Sequence, residues 1–418
     1  MFFNLLGPRG GMGIGTDDLK KAYRQFPSAH PHLSGVVALY NPYTQDVNFF
    51  VLRGMAFGLK SSVLQFNRVS QFLQGVMRRL FASATCAYYD DFCVVEPPLI
   101  GKSSQFCLQN LANAVGVIFD KEKHATCATC NPFLGVVHDF VRYSSGFVTV
   151  RVKPERRDKL IHAIRHIIEH DKLTRHQAAS LYGKLYFCCT TTFARIGVSA
   201  LAAITVRQYQ HSRYSKLTPS LLSALTFLLV LLLHMPPRLV SMKRPQKKPL
   251  LVWSDASLES GRGVLGFVSF DPIATKFYHS AIAVPAYIMS TFAANCINQL
   301  ESLAALFCYM SLPEHMMRDR YMIHWADNTA ALSGLYKTAS PTADVSHILS
   351  LVAMIRLRLR FRPFYEYVRS KANVADLPSR LNFALLSNLQ STWLAPRLPS
   401  ASEWCQPLYE SLHALLDP

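Results

Sequence analysis

Residues 87–95 read AYYDDFCVV, and the reading of Tyr88, Tyr89, Asp90 and Asp91 at its centre decides the fold. Aromatic and β-branched residues flank the acidic pair, as in two short strands. Unpaired carboxylates are costly inside a buried strand. A tight turn between the two strands removes that cost by placing Asp90 and Asp91 at a strand end, open to a divalent cation. A third carboxylate, Asp18, lies 72 positions upstream (90 minus 18) in TDDLKKAYRQF at 16–26. Carboxylates from two distant segments are what two-metal phosphoryl transfer requires, since the ions activate the attacking oxygen and stabilise the leaving one. Acidic turns are common, so these residues alone also fit a polar hairpin and an unrelated Asp at a helix start.

Working outward, residues 16–150 alternate short β-like runs (VVALY, FFVL, CAYYDDFCVV, FVTVRV) with helix-like ones (SSVLQFNRVSQFLQGVMRRL, SQFCLQNLANAVG), which predicts a mixed α/β unit. Helices follow. Pro154 takes a first-turn position ahead of ERRDKLIHAIRHIIEH, and Thr174 with Gln177 forms a capping box before AASLYGKLYF. Between Leu217 and Arg238 the one ionisable residue is a histidine. The strictly apolar part is short of a ~20-residue span, so a buried helix is expected. SMKRPQKKPL at 241–250 reads as a basic, proline-containing linker. Beyond it the order is strand, strand, strand, helix, strand, helix, a second α/β unit. The segment from about 386 is weakly patterned.

The second unit carries its own carboxylates: Asp255 in WSDAS, Glu301 in INQLES, Asp327 in WADNTAAL and Asp376 in NVADLPSR. Two of the Asp residues end apolar runs, Glu301 lies on a helix and Asp376 starts one. Each Asp alone suits a strand end or an N-cap. Together they can converge at one sheet edge, where a cation is needed to hold the charge, as in a two-metal nuclease. Asn328 is expected to cap the following helix.

Taken in order, DLKKAYRQF at 18–26, GMAFGLKSSVLQF at 54–66, YYDD at 88–91, KEKHATC at 121–127 and FLGVV at 133–137 resemble the palm motifs of reverse transcriptases, and LTRHQAASLYGKLYF resembles the thumb. The second set resembles retrotransposon ribonuclease H, and the pairing of INQLESLAAL with WADNTAAL is similar to tyrosine-recombinase, DIRS-like elements. The resemblance implies an α/β (α+β) fold. It comprises a palm over 1–150 with fingers largely missing, a helical thumb and connection over 151–245, a three-layer ribonuclease H-like domain over 246–385 and a tail over 386–418. It implies an RNA-directed DNA polymerase with ribonuclease H activity. A catalytically degenerate remnant that only binds nucleic acid is the alternative.

Carried over residue by residue, Asp18 and Asp90 would ligate metal at the first site, with Asp91 in support. Asp17 is a neighbouring candidate, and the register of DLK-x-AY favours Asp18. Tyr23 would crowd a ribose 2′-hydroxyl, Phe57, Gly58, Lys60 and Gln65 would line the nucleotide and template side, and Lys123 would lie near the incoming phosphates. Packing is the plainer role for Tyr23 and Phe57. Asp255, Glu301, Asp327 and Asp376 would ligate metal at the second site. The implied cofactor is Mg²⁺, two per site, or Mn²⁺ in its place. The implied partners are an RNA template, a DNA primer, an RNA–DNA hybrid and dNTPs. Two positions depart from the pattern. Ala56 stands where the family usually has Pro, and Glu366 and Tyr367 occupy the neighbourhood of a His that often precedes the last Asp. With 17 residues ahead of Asp18, the reading expects an N-terminally truncated piece of a retroelement polyprotein.

The charge agrees in sign. Lys plus Arg is 44 and Asp plus Glu 26, a net +18, which favours a polyanion through counterion release, though an anionic membrane would attract it too. The ten cysteines show no disulfide framework, which points to an intracellular, reduced setting. Cys127 and Cys130 make a C-x-x-C near His124 and His138, with no second pair to complete a zinc site. GGMGIG at 10–15 is expected to be a flexible leader or scar sequence from truncation. Arg356, Arg358, Arg360 and Arg362 alternate with apolar residues, which predicts a strand with one basic face.

Overall fold

The computed structural model describes residues 11–34, 36–210, 214–243, 247–292 and 295–416. The start of the expected leader, through Gly10, and the centre of the expected linker, Arg244, Pro245 and Gln246, lie outside them. The chain divides into two compact units, 1–153 with 239–243, and 154–238 with 244–418.

The first unit is built on a four-stranded sheet of order β4-β5-β1-β6, with β1 Gly13–Asp18, β4 Thr85–Tyr88, β5 Asp91–Glu96 and β6 Ala125–Ala128. Strand β1 runs antiparallel to β5, with Asp18 opposite Asp91. Helix α1 (Lys60–Leu80) buries Phe66, Ser70, Leu73 and Met77, a three-to-four residue spacing that makes one buried stripe. Helix α2 (Pro98–Ala114) starts on a proline and buries Leu108 and Ala112 against the same core as Leu19, Phe92 and Val94. The β-like runs VVALY and FFVL form the hairpin of β2 (Val36–Asn41) with β3 (Asp46–Val51). A second sheet joins β7 (Cys130–Phe133), β8 (Val136–Asp139), β9 (Phe147–Val152) and β10 (Arg238–Ser241).

The glycine-rich stretch corrects the sequence reading. From Gly13 on it is no flexible leader but a strand with a neighbour on each side. Glycine usually weakens strands, yet here no side chain fits. A Cβ on Gly13 would sit 2.7 Å from the Ala128 carbonyl oxygen, and one on Gly15 would sit 2.4 Å from the Gln105 amide.

In the second unit, α3 (Pro154–Glu169) and α4 (Arg175–Thr191) start as expected, with both reciprocal bonds of the Thr174–Gln177 capping box present. The apolar run is α6 (Pro219–His234), capped by Thr218; it follows α5 (Leu201–Tyr209) and buries Leu221, Leu225, Leu228, Leu231 and Leu232. No helix among the described residues is long and apolar enough to cross a membrane.

A six-stranded mixed sheet follows, of order β15-β14-β11-β12-β13-β16. Its strands are β11 Leu250–Glu259, β12 Arg262–Asp271, β13 Lys276–Ala283, β14 Tyr321–Ala326, β15 Arg362–Tyr367 and β16 Thr392–Trp393. Strands β11 and β14 are parallel, and the chain reaches β14 from β13 by way of α7 (Ile297–Ser311), which is buried along most of its length. Helices α8 (Thr329–Lys337) and α9 (Ala343–Leu359) complete the layer. The weakly patterned end is packed: β16 pairs with β13, and Trp404 and Leu412 are buried.

The alternating arginines also differ from expectation. Arg356 and Arg358 lie on the last turns of α9, Arg360 ends it in the left-handed region at φ 54°, and Arg362 opens β15. The helical stripe of Val345, Ile348, Leu349 and Val352 overrides the local alternation, and cations suit a helix C-terminus.

Candidate functional site

Two carboxylate clusters form, one in each unit. In the first, the alternation along β1 separates the two adjacent aspartates. Asp17 is 2% exposed and its oxygens are taken: Gln105 Nε2 donates to Oδ2 at 2.9 Å, Gln109 Nε2 to Oδ1 at 2.8 Å, and His124 Nδ1 lies 2.7 Å from Oδ1. Asp18 stands beside Asp91 at the sheet end and pairs with Lys123 Nζ at 3.0 Å. The Tyr89–Asp90 turn is held from outside, by Ser70 Oγ donating to the Tyr89 carbonyl at 2.6 Å and the Leu19 amide to the Asp90 carbonyl at 3.0 Å. Tyr89 itself sits at φ 52°.

Burial first, then the charges of Asp90 and Asp18, push Asp91 up to about 6, with Lys123 opposing. Asp18, Asp90 and Asp91 do not close as a set to within 4.8 Å of one another. Tyr23 is drawn in as well. Its ring meets Phe66 at 4.5 Å and Phe57 at 4.9 Å, and burial, followed by the Asp90 charge, raises its pKa. Phe57 is 62% exposed. Gly58 has open space around it at φ 91°. Lys60 opens α1, and Gln65, one turn on, accepts from Arg68 at 3.0 Å. No hydrogen bond joins Gly58, Lys60 or Gln65 to the carboxylates among the described residues. Sequence reasoning missed Gln105 and Gln109, whose four-residue spacing on α2 was the available signal.

In the second cluster, Asp255 on β11, Glu301 on α7 and Asp327 just past β14 bring ligand oxygens within 4.8 Å of one another. Asp255 is 5% exposed, receives Ser379 Oγ at 2.6 Å on Oδ2 and Asn373 Nδ2 at 3.3 Å on Oδ1, and is pushed up to about 6, chiefly by burial. Glu301 is 6% exposed, and its Oε2 has no hydrogen-bond partner. Burial, then the charges of Asp255 and Asp327, push it up to about 9. A buried carboxylate oxygen with no donor, aimed among two other carboxylates, is what a cation would satisfy. The donor set fits a hard, oxygen-loving ion.

Asp376 stands outside this triad, where its Oδ1 accepts Arg380 Nε at 2.7 Å, although its charge reaches Asp255. The turn Asp376–Ser379 lies against β12 because Gly266 admits it. A Cβ there would sit 2.4 Å from the Ser379 nitrogen. Asn328 caps α8, accepting from the Ala330 and Ala331 amides at 3.0 Å each. On the buried face of the sheet, Ser254 Oγ and the Tyr309 hydroxyl bracket the two ring nitrogens of His324 at 2.8 and 2.5 Å. Burial pushes His324 down to about 3, so the ring is neutral and ties β11, β14 and α7 together. Sequence reasoning missed Asn373, Ser379 and this network.

The C-x-x-C does not gather a metal site among the described residues. The Cys127 thiol turns to the Glu96 carbonyl at 3.8 Å, and His124 is committed to Asp17.

No protein-family model and no curated protein matches this chain. Solved structures do resemble it. A foamy viral protease-reverse transcriptase dRH in complex with double-stranded DNA aligns at TM-score 0.44 and 15% identity, covering 85% of this chain and 57% of that one. The foamy viral protease-reverse transcriptase in complex with RNA/DNA hybrid aligns at 0.44 and 13%, covering 85% and 44%. Its complex with double-stranded DNA aligns at 0.43 and 15%, covering 88% and 70%. The chain thus spans about half the length of the first two.

Proposed function

We propose that this chain is an RNA-directed DNA polymerase with an associated ribonuclease H, of the kind retroelements encode. The observation that carries the reading is the convergence of Asp255, Glu301 and Asp327, with a partnerless buried Glu301 oxygen, in a mixed sheet. The ordered motifs of the first unit extend the reading to DNA synthesis. At the second site Asp255, Glu301 and Asp327, supported by Asp376, would hold Mg²⁺, or Mn²⁺ in its place; at the first site Asp18 and Asp90 would do so. When bound, the ions supply an activated attacking oxygen and charge stabilisation at the leaving one.

The chain's own groups do the rest. Ser379 and Asn373 fix the orientation of Asp255 by donating to its two oxygens. Glu301 would give up its proton if a cation were held between the carboxylates. Lys123 neutralises Asp18 and is the cation at hand for an incoming triphosphate. Tyr23, its ring tilted at 40° against Phe66, lies beside Asp90, where it would crowd a ribose 2′-hydroxyl and favour dNTPs.

The test is metal-dependent turnover on a labelled RNA–DNA hybrid and, in parallel, on a primed RNA template with dNTPs. Asp90→Asn should abolish extension and leave hybrid cleavage intact. Asp327→Asn should do the reverse, each with a loss of about 10²-fold or more. Cleavage without extension in the parent chain would restrict the reading to a ribonuclease H. Tight hybrid binding with turnover at neither site would replace it with a nucleic-acid-binding remnant.

A further inference from the structure

Cys86 and Cys93 face each other across β4 and β5, the strands that carry the Tyr89–Asp90 turn. Directly opposed residues of an antiparallel pair lie about 4.5–5.5 Å apart at Cα, inside the roughly 4.4–6.8 Å that a disulfide spans. The register sets Cys86 opposite Cys93, with their side chains on the same face of the hairpin. Their surroundings differ sharply: Cys86 is exposed and Cys93 is 4% exposed, packed with Met12, Ile14 and Phe140. Arg78 reaches over from α1, its Nη2 donating to Cys86 Sγ at 3.2 Å and its Nε to the Thr85 carbonyl at 2.7 Å. An exposed thiol under a guanidinium, with a second thiol directly behind it, is the arrangement of an attacking and a resolving cysteine.

We propose that Cys86 and Cys93 are a peroxide-responsive dithiol that closes to a reversible disulfide across this hairpin. This goes beyond the reading of the carboxylate clusters and does not depend on it. The Cys86 thiolate attacks one oxygen of hydrogen peroxide. An S–O bond forms, the O–O bond breaks and hydroxide leaves, to be protonated to water. The Cys93 sulfur then attacks Cys86 sulfur, forming the S–S bond and breaking S–O, and the hydroxyl departs as water with the Cys93 proton. Two thiols lose two electrons and one peroxide becomes two waters. Two equivalents of a small thiol reverse the change and leave as their own disulfide. The neighbouring Cys93 thiol, and after it Arg78, lower Cys86 from the usual thiol range against the opposing effect of burial, which favours the attacking thiolate. Closure takes from Arg78 its thiolate partner and ties the base of the turn that presents Asp90.

The experiment treats the full folded chain with a small excess of hydrogen peroxide, blocks free thiols and maps peptides under non-reducing conditions, cleaving at Tyr88, Tyr89 or Phe92 to separate the two cysteines. The expected product is a Cys86–Cys93 cross-link that dithiothreitol removes, formed at least about tenfold faster than any oxidation of the exposed Cys405. Cys93→Ser should stop at a Cys86 sulfenic acid that dimedone traps, and Cys86→Ser should leave Cys93 reduced. The chain unfolded in guanidinium should lose the preference, which keeps the test valid if a variant misfolds. Both thiols remaining free while Cys405 oxidises, Cys86 linking to a second chain, or Cys86 passing to sulfinic acid with Cys93 free would each overturn the proposal. The readout is covalent, so failure of either nucleic-acid activity leaves it unaffected.

Discussion

Glu301 shows how much one residue's behaviour depends on its neighbours. As a letter in INQLES it is an ordinary helix glutamate; folded, it is buried beside Asp255 and Asp327 and pushed from 4.5 up to about 9. Folding therefore favours its protonated form. Its contribution is full below about pH 4.5 and is lost as pH rises towards about 9. Asp255 adds the same sign of dependence between 3.8 and about 6. The metal-free second unit should accordingly lose stability from pH 5 to pH 8. Glu301→Gln should raise its unfolding free energy at pH 8 by about 2–4 kcal/mol and flatten that slope. Mg²⁺ should raise the parent's melting temperature at pH 8 and leave the variant's unchanged, since bound ligand stabilises only the state that binds it. A thermal melt across pH, with and without Mg²⁺, checks all three; an unchanged slope in the variant would remove Glu301 as the source.

Strand β1 makes the corresponding point for an element. Its glycines read as a loose leader because propensity counts against glycine in a strand. The strand exists because Ala128 and Gln105 approach it where a Cβ would stand. Gly15→Val should cost the first unit about 2–4 kcal/mol by forcing Gln105 off Asp17 and the Cys127 amide. Chemical denaturation followed by near-ultraviolet circular dichroism measures this, and a change below 0.5 kcal/mol would mean the strand gives way freely. Elements whose logic is local were legible: the capping box at Thr174, the proline start of α3 and the two-residue turn in YYDD all form where the pattern puts them. The arginine alternation misled because a longer helical stripe competed for the same residues and won.

At the scale of the whole molecule, the net +18 should make hybrid binding strongly salt-dependent. A chain contacting six or more phosphates should weaken about 10³-fold or more between 50 and 200 mM salt. Fluorescence anisotropy of a labelled hybrid reads the slope, and a flat one would mean the positive charge faces something other than nucleic acid. Composition, the acidic turn, the order of the two carboxylate sets and most strand and helix positions were determined by the sequence itself, because each is written within a few neighbouring residues as a period, a cap or a turn. Other features were decided by tertiary structure: that Asp17 is consumed by Gln105, Gln109 and His124 while Asp18 stays beside Asp91; that Asp255, Glu301 and Asp327 close together while Asp376 is held by Arg380; and that Cys86 meets Cys93 under Arg78. The reason is physical. A strand register or a helix docking brings together residues far apart in the chain, and removal from water then sets their charge, and neither can be read from local pattern alone.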